Sequence, residues 1–292
     1  MLNILVTGSS GYIGSSFISK FGANFNISTF SLLHQSLDQF SFDDVDVILH
    51  CAALVHQRKK HSYQHYYKIN TQYTLDLARK AKENGVKHFI FISTLSVYSP
   101  DLKKIDEDSP CIPQTSYGKS KYEAENQLNA LNDDNFMISI IRPAMVYGKG
   151  ALGNIQHLIK LVKTLRIIPL GKIQNKRSFI YIDNLCYLLN EIIKQNKEGI
   201  FLACDDDLIS SSELLQLIAN GLDRKIYLIK IPLINSLLKY TVPSIYKKIY
   251  CDLEVSNIKT KKTLSLKLPF KIRDGIKRMM YTKNITKNEN TV

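Results

Sequence analysis

Tyr117-Gly-Lys-Ser-Lys121 sets a phenol and an ammonium four residues apart. At that spacing two side chains share one face of a helix, so both groups can enter one cleft. A phenol ordinarily titrates near pH ~10 and is a poor base at neutrality. A cation beside it stabilises the phenolate and lowers that value. Lys121 supplies such a cation, and the pair suits proton transfer at a hydroxyl or carbonyl oxygen. Alone, the same pattern also describes an exposed tyrosine and a solvated lysine. Upstream, Ser93-Thr94-Leu95-Ser96-Val97-Tyr98 closes an apolar strand. A hydroxyl from Ser93 or Thr94 can orient a substrate oxygen toward Tyr117, or can simply close a Ser/Thr turn.

These groups need a frame. Pro113, Thr115 and Ser116 are start signals for a helix over Ser116–Leu131. Leu2–Thr7, Val45–Cys51, His88–Ser93 and Met137–Arg142 read as short strands, apolar enough to be buried on both faces. Gly11–Lys20, Tyr66–Asn84, Ile155–Leu165 and Asp183–Lys194 read as further helices. Strands alternating with helices predict an α/β fold, a doubly wound parallel sheet of the Rossmann kind. The stretch Ser31–Asp44 is short and polar, with little room for a full strand and crossover helix. The expected division is a dinucleotide-binding domain over 1–150, rejoined by 176–195. A smaller substrate-binding domain follows over 151–284, then a frayed tail over 285–292.

Thr7-Gly8-Ser9-Ser10-Gly11-Tyr12-Ile13-Gly14 lies between the first strand and the first helix, the context in which a glycine pattern carries weight. Gly8 permits the tight turn, Gly11 lets backbone approach a pyrophosphate, and Gly14 lets helix pack on sheet. The helix N-terminus then offers N–H groups to phosphate. If the dinucleotide carries an oxidised nicotinamide, that ring brings a second positive charge to Tyr117. No acid sits near Ile27–His34 to grip an adenosine ribose, and no arginine marks a 2′-phosphate. NAD and NADP both stay open. Arg58, Lys59 and Lys60 can reach a phosphate or form a solvated charged run.

Composition excludes other classes. The chain has 292 residues, 45% hydrophobic, with a net charge of +13. Such a charge favours anionic partners without choosing among them. Five scattered cysteines with no CxxC pair argue against a zinc knuckle or disulfide framework and for a reducing cytoplasm. No metal site is expected. No apolar run reaches the ~20 residues of a membrane helix, and the start of the chain reads as a strand rather than a signal peptide. The positive residues are dispersed, which argues against nucleic-acid binding. The basic, apolar stretch Lys225–Lys248 reads either as substrate-domain packing or as a peripheral membrane contact.

Taken together the motifs resemble the extended short-chain dehydrogenase/reductase family, the NAD-dependent epimerases and dehydratases of nucleotide sugars. The pieces are Thr7–Gly14, His50-Cys-Ala-Ala53 at what the family pattern makes the fourth-strand end, Asn70, Ser93–Tyr98 and Tyr117–Lys121. Arg142-Pro-Ala-Met-Val-Tyr-Gly148 and Lys176–Asn184 complete the series. The resemblance implies that Gly8, Ser10, Gly11, Tyr12, Ile13 and Gly14 hold the dinucleotide phosphates. Cys51, Ala52 and Ala53 would face the cofactor, with Asn70 in support. Tyr117 would be the catalytic base or acid, and Lys121 would bind the nicotinamide ribose and lower the phenol's pKa. Thr94 aligns with the catalytic hydroxyl, Ser93 being its neighbour. Asn154 and Arg177 match positions that hold the diphosphate and uridine of a UDP-sugar. The resemblance also implies a homodimer built on Tyr66–Asn84 and Ser116–Leu131.

Within such a family the reaction must be chosen. A sugar 4,6-dehydratase carries Asp-Glu after its catalytic threonine. Here Leu95-Ser96 follow Thr94, and neither can shuttle the protons that dehydration needs. Chemistry at C4 alone remains, as a 4-ketoreductase of a UDP-4-keto-6-deoxy sugar or as a UDP-hexose 4-epimerase. Met145, where UDP-galactose 4-epimerases carry asparagine, and the missing ribose acid favour the reductase. A third expectation, a dinucleotide-binding regulator without catalysis, conflicts with the retained tyrosine and lysine.

Overall fold

A computed structural model describes residues 1–31, 36–55, 61–151 and 153–281. Arg58, Lys59, Lys60 and the tail beyond residue 281 lie outside the described residues.

The chain opens with β1 (Asn3–Thr7), α1 (Tyr12–Phe21), β2 (Asn26–Phe30) and β3 (Val47–His50). One long helical run follows: α2 (Tyr63–Tyr67), a π-turn over Lys68–Gln72, and α3 (Tyr73–Glu83). Next come β4 (His88–Ile92), the short β5 (Lys104–Ile105), α4 (Ser116–Asn129), β6 (Met137–Pro143) and β7 (Met145–Tyr147). The second half comprises α5 (Asn154–Thr164), β8 (Ile167–Ile168), β9 (Phe179–Tyr181), α6 (Ile182–Gln195) and β10 (Gly199–Ala203). It continues through α7 (Ser211–Gly221), β11 (Tyr227–Leu228), α8 (Ile234–Thr241) and α9 (Pro243–Tyr250), and closes with β12 (Glu254–Val255), α10 (Ile258–Leu264) and α11 (Ile272–Tyr281).

Six parallel strands form the main sheet in the order β10-β6-β4-β3-β1-β2. Every residue of β3 and β4 is buried, as a strand covered by helices on both faces must be. α1 and α6 pack together, with Lys20 paired to Asp183 across them. Leu185, Leu188, Leu189, Ile192 and Ile193 form the buried stripe of α6, and Asn196 ends it in the left-handed region at φ 50°. β7 pairs with β9, β8 with β11 and β5 with β12, each pair parallel. One apolar cluster runs from Ile4 in β1 to Met280 in α11, so the second half packs directly on the sheet.

The little room expected between β2 and β3 is found among the described residues, and two strand assignments depart from expectation. Between β2 and β3 the described residues hold only a single 3₁₀ turn, Leu37–Gln39. His50–Ala53 therefore end the third strand, not the fourth, and β2 is the sheet edge. The far edge is β10, whose Gly199–Ala203 pair with β6 from within the stretch expected to bind substrate. The stretch 176–195, expected to rejoin the sheet, adds no strand to it: β9 pairs with β7, and α6 packs on α1.

No helix among the described residues is long and apolar enough to cross a membrane. Neither α8 nor α9 contains a buried residue.

Candidate active site

The glycine turn is built from backbone in near contact. Gly8 has φ +68°, and a Cβ on it would stand 2.6 Å from the Ala52 nitrogen. A Cβ on Gly14 would stand 2.5 Å from the Gly8 carbonyl oxygen, and the Gly11 N–H donates to that same oxygen at 2.9 Å. The end of β3, the turn and the start of α1 thus meet with no room for side chains. Gly11 caps α1 without a side-chain hydrogen bond, and no acid occupies the first turn, so its N–H groups face outward under a positive helix end. Ser10 is exposed, and Ile13 packs on the core. The Tyr12 hydroxyl is buried and has no hydrogen-bond partner among the described residues. Burial, reinforced by Tyr181, Cys186 and Asp183, pushes its pKa above the ordinary phenol range.

At the end of β3, His50 is stacked on Phe91 and buried. Thr74 donates its hydroxyl proton to the Asn70 carbonyl, so it accepts from His50 Nε2–H at 3.0 Å. His50 Nδ1 then accepts from the Thr7 hydroxyl at 2.7 Å. Burial, with Lys121 adding to it, drops the imidazole pKa to about 3, which keeps the ring neutral in this network. The Cys51 N–H donates to the Thr7 carbonyl at 3.1 Å, and burial pushes its thiol above the usual range. Cys51, Ala52 and Ala53 are all half-buried.

The π-turn explains the role of Asn70. Its side chain accepts from the Leu54 N–H at 2.8 Å and donates to the Leu54 carbonyl at 3.0 Å and to the Ser120 hydroxyl at 3.1 Å. Thr71 beside it donates to the Ser120 carbonyl at 2.7 Å. The wider turn aims two consecutive polar side chains at α4, which clamps the Ala52–Leu54 backbone to the helix carrying Tyr117.

Thr115 caps α4, accepting from the Gly118 N–H at 3.0 Å. The buried face of α4 carries Gly118, Lys121 and Glu125. Tyr117 packs edge-on to Tyr66, with ring centroids 6.2 Å apart, and its hydroxyl is hydrogen-bonded to Thr94. Thr94 Oγ1 also accepts from the Ser96 N–H at 3.1 Å, an arrangement that aims its own proton at the phenol oxygen. Burial pushes the Tyr117 pKa up to about 12, and the Thr94 hydrogen bond opposes that rise. Lys121 is 1% exposed, its ammonium lies 3.8 Å from the Phe91 ring centroid, and it has no hydrogen-bond partner among the described residues. Burial drops its pKa to about 7, against the pull of Glu125 and Cys51. The expected lowering of the phenol by Lys121 is therefore not a property of the polypeptide alone, where Thr94 supplies the lowering influence.

Ser93 does not face the phenol. It donates to Glu125, which also takes the Arg142 guanidinium in a two-point bond, Nε at 3.1 Å and Nη2 at 2.6 Å. Arg142 Nη1 donates to the Tyr98 hydroxyl at 2.6 Å, and Tyr98 donates on to the Asp106 carbonyl at 3.0 Å. Ser93 is thus a tie beneath the site, and its backbone continues into the turn that presents Thr94. Arg177, expected at a substrate diphosphate, donates Nη1 to the Cys251 carbonyl at 3.0 Å and to the Lys247 carbonyl at 3.4 Å. Those carbonyls close α9, so the guanidinium serves as a helix cap. Asn154 opens α5 with an exposed side chain. Gly118, Ser120 and Arg142 lie inside the sequence motifs without a role assigned to them, and Glu125 lies outside every motif; all four pack around the site. Glu125 carried a usable signal, four residues past Lys121 on the same face.

The residues present fit a dinucleotide. The glycine cradle is one that any Cβ would fill, and the Lys121 ammonium is a buried donor without a hydrogen-bond acceptor. Residues 4–202 match the NAD dependent epimerase/dehydratase family, and the chain belongs to that family. It is an enzyme of an NAD-dependent, sugar-nucleotide epimerase family.

The chain is 31% identical to the UDP-glucose 4-epimerase of Vibrio cholerae, over 94% of this chain and 93% of that protein. It is 26% identical to the N-acetyl-alpha-D-glucosaminyl-diphospho-ditrans,octacis-undecaprenol 4-epimerase of Escherichia coli O157:H7, over 85% of each. Among solved structures, UDP-N-acetylglucosamine 4-epimerase from Bacillus cereus superposes with a TM-score of 0.78 at 20% identity, covering 97% of this chain and 100% of that one. UDP-glucuronic acid 4-epimerase from Bacillus cereus, in complex with NAD, gives 0.75 at 19% identity, with 96% and 98% covered. At those identities the likeness speaks for the fold.

Proposed function

We propose that this chain is a 4-epimerase of a UDP-hexose, of the glucose/galactose type. The observation that carries the reading is the 31% identity to a UDP-glucose 4-epimerase along nearly the full length of both chains. The ketoreductase expectation rested on Met145 and a missing ribose acid, and neither feature sets the direction of hydride transfer. Met145 sits in β7, paired with Phe179.

In this mechanism NAD, when bound, supplies hydride chemistry at C4, and Gly8, Gly11, Gly14 and Lys121 are the residues to hold it. Tyr117 takes the proton from the 4-hydroxyl as that carbon is oxidised and returns it as the carbon is reduced. Thr94 donates to the phenol oxygen and stabilises the phenolate. The Lys121 ammonium adds positive charge in a dry environment, where it counts for more than in water. Asn70 and Ser120 keep the end of β3 and α4 in register. The proton returns and C4 regains hydride on its opposite face after the keto sugar turns over in the site, so the net reaction would invert C4 with no net use of cofactor.

The purified chain, given UDP-galactose, should form UDP-glucose without net cofactor turnover. Failure to interconvert the pair, with consumption of a 4-keto-6-deoxy sugar and reduced cofactor instead, would replace this reading with the reductase. A second carrier for the sugar, a polyprenyl diphosphate, is favoured by the relative from Escherichia coli and by the exposed α8–α9 surface. Turnover of the lipid-linked sugar but not of UDP-hexose would select it.

A further inference from the structure

Residues 225–250 contain five lysines (Lys225, Lys230, Lys239, Lys247 and Lys248) and no acidic residue. Seven large apolar side chains stand exposed within the same stretch. Leu233 is 78% exposed, Leu237 61% and Tyr240 82%. Their spacing of four and then three residues makes them one stripe along α8 and its first turn. Leu233 also holds φ at +64°, a region unfavourable for a bulky residue, and its side chain gains no burial there. The base of the hairpin is anchored. Ile249 and Tyr250 pack on the core, and the Asn175 side chain donates to the carbonyls of Ile249 and Cys251 at 3.0 and 3.1 Å. The stripe therefore points away from a fixed platform.

We propose that the α8–α9 hairpin is a docking surface for an anionic lipid bilayer. A bilayer covers both halves of the surface at once. Leu233, Leu237 and Tyr240 enter the boundary between headgroups and acyl chains, while Lys230, Lys239 and Lys248 meet headgroup phosphates. Lys247 reaches Asp101 at 2.6 Å and is spent on the protein itself. A second copy of the chain fits less well, because a two-fold contact would press this basic face against its own duplicate. A nucleic acid would neutralise the lysines but leave the leucine stripe in water. The inference stands apart from the choice of sugar carrier, since its test uses no sugar.

The NAD-loaded full chain should sediment with phosphatidylcholine vesicles that contain phosphatidylglycerol, and not with phosphatidylcholine alone. Added salt should weaken that binding. A triple variant, Leu233→Ser, Leu237→Ser and Tyr240→Ser, should bind anionic vesicles at least roughly tenfold less while keeping its unfolding temperature and NAD binding. Lys230→Gln with Lys239→Gln should weaken binding and flatten its salt dependence. Wild-type protein that ignores anionic vesicles would overturn the proposal. So would a triple variant that binds as well as wild type, or one whose only change is dissociation of a dimer.

Discussion

Gly118 and Ser96 meet backbone to backbone: a Cβ on Gly118 would stand 2.2 Å from the Ser96 carbonyl oxygen. That contact presses the first turn of α4 onto the turn after β4, and it holds Tyr117 at the Thr94 hydroxyl. Gly118→Ala must push the two turns apart. The expected result is a folded protein that keeps NAD and loses about 10²-fold in kcat, the scale on which ångström displacements act. Circular dichroism together with epimerase rates would check it, and a fully active alanine variant would break the link between this packing and the phenol.

Thr94 acts on the phenol oxygen directly. Thr94→Val removes a hydrogen bond that holds the Tyr117 pKa down against burial. Activity should fall about 10–100-fold, and the rising limb of the pH–rate profile should move to higher pH. Thr94→Ser should restore both. An unmoved pH limb in the valine variant would mean the hydroxyl only shapes the turn.

Lys121 is buried at a cost that depends on pH. Its pKa is about 7 in the folded chain against an ordinary 10.5. Between those values the unfolded chain binds a proton that the folded chain does not, so stability rises with pH across the window. Below the lower value both forms are charged, and the whole penalty of burying the ammonium persists. Lys121→Met should therefore raise the unfolding temperature of the NAD-free protein, most of all below pH ~7, with the gain shrinking toward pH ~10.5. A gain independent of pH would show that packing against Phe91, not charge, is responsible.

The Arg142–Glu125 pair is 3% and 1% exposed and also binds Ser93 and Tyr98. Removing one partner strands a buried charge, so Glu125→Ala should cost about 3–5 kcal/mol in urea unfolding. Replacing both, Glu125→Leu with Arg142→Met, should recover most of that loss. If the single variant costs no more than an exposed pair, the guanidinium must reach water after all.

Much of this was legible in sequence because local chemistry and tertiary demand coincide. The apolar runs around Ile4, Ile48, Phe89 and Ile140 are buried strands, and Thr115 caps the helix that its type suggested. β10 was not legible, because Gly199-Ile-Phe-Leu-Ala203 lies beyond the last motif, where no recognisable strand–helix alternation frames it. A guanidinium suits phosphate and helix carbonyls equally well, so the sequence could not show that Arg177 also meets the carbonyls at the end of α9. Ser93 and Thr94 are adjacent hydroxyls that sequence cannot separate. At the strand end their side chains take opposite directions, one toward Glu125 and the other toward Tyr117.

The widened turn at Lys68–Gln72 makes chain length itself part of the site. A π-turn closes over one residue more than an α-turn, so deleting a single residue there would let the coil close as ordinary α-helix and shift Asn70 and Thr71 on the face that meets α4. Asn70 and Thr71 could no longer both reach Ser120. The hold on the Leu54 backbone thus depends on how many residues the coil contains at this point as well as on which residues they are.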